Sequence, residues 1–217
     1  DLAGAADRLA VQDFYSQHVL PVEREGVWRA RLADQAGTVD LLFVTVGRQA
    51  DTPINAGLRW AAPLVVFLCT DDTKRIAIDA AAKLGLGAGQ ARIESVGSGE
   101  DAIELYRKIY EVWRAEKEPT NTVVDVTGGY KTMSAAAGAA AFVVPGMRAS
   151  YVRTRQERYH DQLVWLDTEV RTLQSPLTVF GEIRRETASE LLKGGHFAEA
   201  ERLYADLWRE VGHRPDS

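Results

Sequence analysis

A single cysteine, Cys69, two methionines and seven prolines in 217 residues exclude several kinds of chemistry at the outset. One cysteine forms no internal disulfide and no cysteine-based zinc site, and it makes the reducing cytoplasm the expected compartment. A basic surplus is also missing: Lys and Arg total 26 against 31 Asp and Glu, a net charge of −5. Proteins that coat duplex nucleic acid neutralise its phosphates with clustered cations, so direct duplex binding is not expected and any anion site must be local. Long apolar runs are lacking too. The longest near-apolar stretch, residues 135–147, is too short to span a bilayer and contains Pro145. The opening residues carry no basic segment ahead of an apolar one, so neither a membrane span nor export is expected.

What is present is an ordinary globular composition, 46% apolar and 26% charged, enough for one sizeable α/β domain and a smaller helical appendage. The chain opens on Asp1 rather than Met and closes raggedly on Gly212-His213-Arg214-Pro215, and the expectation is a piece of a longer protein. Leu9, Phe14, Val19, Leu20, Val27 and Leu32, interrupted by Pro21, read as a helical leader over residues 1–37. A β-like run at 39–46 follows, closed by Gly47, then a short helix-compatible stretch at 55–60.

The alternation then repeats. Residues 64–69, 92–96 and 122–126 read as strands, and 74–84, 100–117 and 131–144 as helices. Near-continuous apolar strands separated by helices are what a parallel sheet covered on both faces requires, and right-handed crossovers make it doubly wound. Residues 148–153 and 162–167 read as two further strands, with the polar segment 154–161 as the turn of a terminal β-hairpin. From Ser175 the period becomes helical, with a break at Gly194-Gly195, giving a helical hairpin. The expected division is therefore a leader at 1–37, a ligand-binding α/β domain at 38–170, and a helical extension or the start of an effector domain at 175–217.

In an open parallel sheet ligands bind outside the carboxyl ends of the strands. Four loops belong there: Thr45-Val46-Gly47-Arg48, Thr70-Asp71-Asp72-Thr73, Gly97-Ser98-Gly99 and Thr127-Gly128-Gly129-Tyr130-Lys131. The last is the most informative. Its glycine pair lets backbone approach a ligand, the following helix adds positive potential, and Lys131 adds a cation, so phosphate is the natural guest. The loop is not a Walker A motif, because Tyr130 stands where glycine must precede the lysine, and no G-x-G-x-x-G follows the first strand. The small residues Ser134 to Ala141 make the next helix slim enough to pack closely against the sheet or a second copy of itself.

Residues Val124-Asp125-Val126-Thr127-Gly128-Gly129-Tyr130-Lys131-Thr132-Met133-Ser134 resemble the strand, Asp-x-Thr-Gly-Gly-Thr-Lys-x-Met loop and helix of CARF (CRISPR-associated Rossmann fold) domains. The resemblance extends to Leu42-Phe43-Val44-Thr45-Val46-Gly47, to Val66-Phe67-Leu68-Cys69-Thr70 and to Phe180-Gly181-Glu182-Ile183-Arg184-Arg185-Glu186. It implies a Rossmann-like, mostly parallel sheet with helices on both faces. It also implies a sensor of type III CRISPR defence that binds a cyclic oligoadenylate across a homodimer axis and controls an effector. Cyclic tetra-adenylate is the expected ring and hexa-adenylate the second size; no cofactor and no metal are implied. By the same likeness Thr45, Val46, Gly47, Arg48, Thr70, Asp71, Gly97, Ser98, Thr127, Gly128, Gly129, Tyr130 and Lys131 are the ligand-binding positions. Tyr130 departs from the small hydroxyl residue usual in the motif, which leaves the ring size open. The resemblance also leaves open a ring nuclease that cleaves its own ligand, and a transcriptional regulator, against which the acidic tail argues. No catalytic residue is assigned.

Other constellations carry less. Arg155 and His160 stand at the R-x-x-x-x-H spacing of HEPN ribonucleases, but in an expected turn rather than on a helix. Asp71 and Asp72 are adjacent, point apart and lack a fixed third ligand, so they read as loop caps. Asp125 reads as a carboxylate capping a neighbouring loop, and Arg148, Arg153, Arg155 and Arg158 as a basic rim near a dimer groove or a solvated surface. His18, His196 and His213 read as surface residues.

Overall fold

The computed structural model describes residues 39–159 and 162–211 and a few scattered positions before them, so the expected leader at 1–37 lies outside the described residues, as do His160 and Asp161. Within this span β1 (Leu41–Thr45), β2 (Leu64–Cys69), β3 (Ala91–Ser95) and β4 (Thr122–Asp125) alternate with α1 (Asp51–Trp60), α2 (Lys74–Lys83), α3 (Ala102–Ala115) and α4 (Lys131–Val143). The chain continues through β5 (Met147–Tyr159), β6 (Gln162–Thr172), α5 (Pro176–Lys193) and α6 (Phe197–Val211).

The six strands form one sheet in the order β3-β2-β1-β4-β5-β6, parallel except for the last pair. The mostly parallel, Rossmann-like α/β architecture expected from the alternation is thus the observed one. Strands β1, β2 and β4 are buried almost throughout because both faces of the sheet are covered. Leu41, Phe43, Val66, Leu68 and Val124 pack against Leu105, Ile109 and Val112 of α3 and Met133, Ala137 and Ala140 of α4. Leu42, Val44, Val65, Phe67 and Val123 pack on the other face, against Ile54, Ala56 and Trp60 of α1 and Ala77 and Ala80 of α2. The period of two along each strand assigns alternate side chains to these two layers.

Helix α3 is held by its apolar face and by a cap at its N-terminus. Its buried residues Leu105, Ile109, Val112 and Trp113 recur at helical spacing. The Asp101 carboxylate accepts from the backbone N–H groups of Ile103 at 2.8 Å and Glu104 at 3.0 Å. Asp101→Ala removes this cap and is expected to cost about 1 kcal/mol of stability in chemical denaturation; an unchanged midpoint would contradict the cap.

The terminal hairpin is longer than the polar segment 154–161 suggests. β5 runs on to Tyr159 and pairs antiparallel with β6 from Ser150↔Thr172 to Tyr159↔Gln162, with a bulge between Arg155 and Gln156. Its pairing with β4 ends at Asp125↔Ser150. Beyond that point the ribbon has no parallel neighbour among the described residues, and residues 151–159 carry it roughly 30 Å further at ~3.3 Å per residue. A two-stranded ribbon outside the covered sheet has no obligatory apolar alternation, which is why polar composition masked the strand. The expected helical hairpin is present as α5 and α6, joined through Gly195 in the left-handed region at φ 81°. Among the described residues no helix is long and apolar enough to cross a membrane.

Candidate functional site at the carboxyl edge of the sheet

From β1 the chain winds outward to β2 and β3, then returns through α3 to β4 on the other side of β1. The strand order reverses between β1 and β4, the topological switch point of an open sheet. The loops leaving those two strands are 45–48 and 127–131, so the glycine pair lies at this point by topology as well as by motif.

The two loops touch backbone to backbone. A Cβ on Gly47 would stand 2.7 Å from the Gly129 nitrogen. A Cβ on Gly128 would overlap the Thr45 carbonyl oxygen and stand 2.8 Å from the Gly47 nitrogen. Gly129 serves a different need, since its φ of 79° lies in the left-handed region that side chains resist. The first glycine of the pair permits close approach and the second permits the turn into α4.

That turn is anchored from below by Asp125, which is wholly buried. One carboxylate oxygen accepts from the Thr127 N–H at 3.1 Å, the other from the Ser150 hydroxyl at 2.9 Å. Ser150 in turn accepts from the Trp60 indole N–H at 3.2 Å. The Thr45 hydroxyl donates to the Asp125 carbonyl at 3.0 Å, and the Thr127 hydroxyl accepts from the Val152 N–H at 2.6 Å. Burial pushes the Asp125 carboxyl up to about 6, while the hydrogen bonds from Thr127 and Ser150 hold it lower than burial alone would. Asp125 therefore caps a loop, as a buried carboxylate at a strand end is expected to, and does not face solvent.

The third and fourth loops close on the same edge. Gly99, at φ 73°, lies beneath Tyr130 and beside Thr70 and Met133: a Cβ there would stand 2.8 Å from the Tyr130 ring, 2.8 Å from the Thr70 methyl and 3.0 Å from the Met133 sulfur. The Thr132 hydroxyl donates to the Gly99 carbonyl at 2.6 Å, tying the first turn of α4 to the loop after β3. The Ser134 hydroxyl donates to the Gly128 carbonyl at 3.1 Å.

The expected binding positions therefore gather in one place but do not all present side chains to it. Thr45, Val46 and Thr70 are buried. Asp71 accepts a hydrogen bond from Ser95 at 2.9 Å, and Gly97 lies beside the Glu104 carboxylate. Arg48, Ser98, Gly129, Tyr130 and Lys131 are exposed, and Thr127 and Gly128 are half-buried. No side chain caps α4 and no acidic residue occupies its first turn, so its leading N–H groups face the edge without an internal anion. Among the described residues no group of three or more His, Cys, Asp or Glu side chains could hold a metal ion.

Sequence reasoning missed Thr132 and Met133, which support the loop, and the Trp60–Ser150–Asp125 chain. No local pattern signals that chain; Ser150 meets Asp125 only through the register of β4 with β5. The expected basic rim is corrected at Arg148. Its register partner is Val123 inside the sheet, and its guanidinium lies 5.1 Å from the Trp60 ring centroid. Arg153 is exposed opposite Glu169, whereas the Arg155 and Arg158 side chains lie outside the described residues. Arg155 belongs to β5 rather than to a turn, and a strand still departs from the helical setting of the HEPN motif.

No protein-family model matches the sequence, and no curated protein matches it either. Among solved structures the chain is similar to Can2 from Sulfobacillus thermosulfidooxidans, solved in complex with cyclic tetra-adenylate. That likeness has a TM-score of 0.47 and 14% identity, over 65% of this chain and 39% of the Can2 chain, so the present chain spans well under half of Can2's length. It is also similar to the protein LMOf2365_1472 from Listeria monocytogenes serotype 4b, with a TM-score of 0.34 and 12% identity over 85% of this chain and 97% of that one.

Proposed function

We propose that residues 38–170 form a CARF-type sensor domain that binds a cyclic oligoadenylate at the carboxyl edge of the sheet. The observation that carries this reading is the start of α4. An uncapped helix N-terminus, free of acidic residues, follows a glycine pair at the switch point and bears an exposed lysine. Phosphate is the anion such a turn accepts, and the Thr-Gly-Gly-Tyr-Lys sequence gives it the likeness of a cyclic oligoadenylate loop.

In this reading Gly128, Gly129, Tyr130, Lys131, Arg48 and Ser98 reach the ligand. Thr45, Val46, Gly47, Thr70, Asp71, Gly97 and Thr127 shape the cradle that holds the loops together. A ring that repeats phosphate and base around a symmetry axis is met best by two copies of the site, so the working unit is a homodimer. The helical pair after residue 175 passes the bound state to an effector.

Incubation with labelled cyclic tri-, tetra- and hexa-adenylate tests the proposal. Retention of intact cyclic tetra-adenylate is the expected result; linear products would make the domain a ring nuclease, and absence of binding to every ring would remove both readings. Lys131→Ala is expected to weaken tetra-adenylate binding by about 1.5 to 3 kcal/mol, measured by calorimetry, because it deletes a charge-assisted contact to phosphate. Equal affinity in the variant would refute the role of Lys131.

A further inference from the structure

The anion seat accounts for a phosphate but leaves the base unread. The four loops at the carboxyl edge contain one aromatic residue, Tyr130. It occupies the position before α4 in extended conformation, φ −72° and ψ 158°, and its side chain does not cap the helix. Its ring is backed by protein on one side: the missing Cβ of Gly99 would stand 2.8 Å from the ring carbon Cδ2. Gly99 is doubly constrained, by its φ of 73° and by the space the ring takes, and the Thr132 hydroxyl holds its carbonyl at 2.6 Å.

A ring supported in this way still leaves 44% of the residue accessible. An exposed aromatic face backed by protein beside a phosphate seat is the surface on which a base stacks. Tyr130 is joined directly to Lys131 and follows the Gly128-Gly129 turn, which sets its ring next to the proposed phosphate seat.

We infer that Tyr130 is the specificity-determining residue of this site, stacking on a nucleobase and favouring the larger purine over a pyrimidine on the same phosphate ring. The inference rests on the anion seat proposed above, but makes a separate claim: that recognition includes the base.

The test compares wild-type protein, Tyr130→Ala, Tyr130→Phe and Lys131→Ala for binding of cyclic tetra-adenylate, cyclic tetra-uridylate and inorganic tripolyphosphate. Tyr130→Ala is expected to weaken tetra-adenylate roughly 10- to 100-fold, to erase the preference over tetra-uridylate and to leave tripolyphosphate unchanged, while Tyr130→Phe keeps the ring and the affinity. In the wild-type protein the Tyr130 ring protons shift upfield on adding tetra-adenylate, a readout independent of any substitution. Tetra-adenylate affinity kept in Tyr130→Ala but lost in Lys131→Ala overturns this inference and leaves the seat standing. A parallel loss of tripolyphosphate in Tyr130→Ala also overturns it, because the ring would then merely support the turn. Wild-type protein that binds tripolyphosphate but neither ring overturns both the base-reading role and the oligoadenylate reading. Failure to bind any of the three removes the seat itself.

Discussion

Gly128→Ala is expected to destabilise the protein by about 3 kcal/mol and to abolish the proposed oligoadenylate binding, although it adds a single methyl group at a loop. The added carbon would overlap the Thr45 carbonyl and stand 2.8 Å from the Gly47 nitrogen, and both atoms are backbone. A flexible side chain could swing away; two main-chain segments at the ends of adjacent strands can separate only by opening β1 from β4. For a domain of this size the loss corresponds to a melting temperature lower by roughly 6 to 12 °C. Gly138 supplies the internal control. It lies within α4, where an added Cβ meets nothing nearer than Phe142 at 3.9 Å, so Gly138→Ala should gain up to about 1 kcal/mol from helix propensity. Wild-type melting in Gly128→Ala would mean that the loops do not touch as described, and the switch-point site would lose its geometry.

Asp125 governs the second large effect, and its sign is unusual for a carboxylate. Burial raises its folded-state value from 3.8 to about 6, so the folded protein holds this proton more tightly than the unfolded chain does. Its favourable contribution is fully present below pH ~4 and is lost as pH rises through about 6, a change of about 3 kcal/mol. Asp125→Asn keeps an oxygen for the Thr127 N–H but cannot ionise. Ser150 loses the acceptor for its proton, a cost that does not vary with pH and drops out of the slope. The stability of the wild type relative to Asp125→Asn is therefore expected to fall by about 2.4 kcal/mol between pH 4 and 7 in urea titrations. Groups of opposite tendency, such as Glu169 held low chiefly by its hydrogen bond from Arg171, are common to both proteins and cancel. A difference that stays flat across this range would show that the carboxyl is not desolvated and that the loop is anchored otherwise.

Both effects converge on residues 125–129. The same backbone that must stay unhindered to meet the loop after β1 hangs from a carboxylate that is costly to ionise. Raising the pH through 6 charges the group beneath the proposed phosphate seat, while two hydrogen bonds keep it in place. The site thus rests on close backbone contacts and a desolvated carboxyl whose partners lie far apart in the chain.

The first four strands and the helices after β2, β3 and β4 were legible from the alternation of apolar runs with helical spacing, with β2 read at its observed bounds. Their signal is strong because β1, β2 and β4, buried on both faces, are mostly apolar along their length, and a helix packed on that sheet is apolar at helical spacing. The glycine pair before α4 was legible for a similar local reason, since close approach and a left-handed turn both demand glycine. The ribbon formed by β5 and β6 was cut short because a strand paired outside the covered sheet need not alternate.

Only the fold could place Ser150 and Trp60 around Asp125, bury the Thr45 and Thr70 side chains, and move Arg148 from an expected rim to the face of Trp60. Local sequence determines which backbone shapes a segment tolerates, and hence the strands, helices and turns. Which side chains meet across those elements depends on strand order and register, set by the packing of the whole sheet, and these cannot be read from any one stretch of residues.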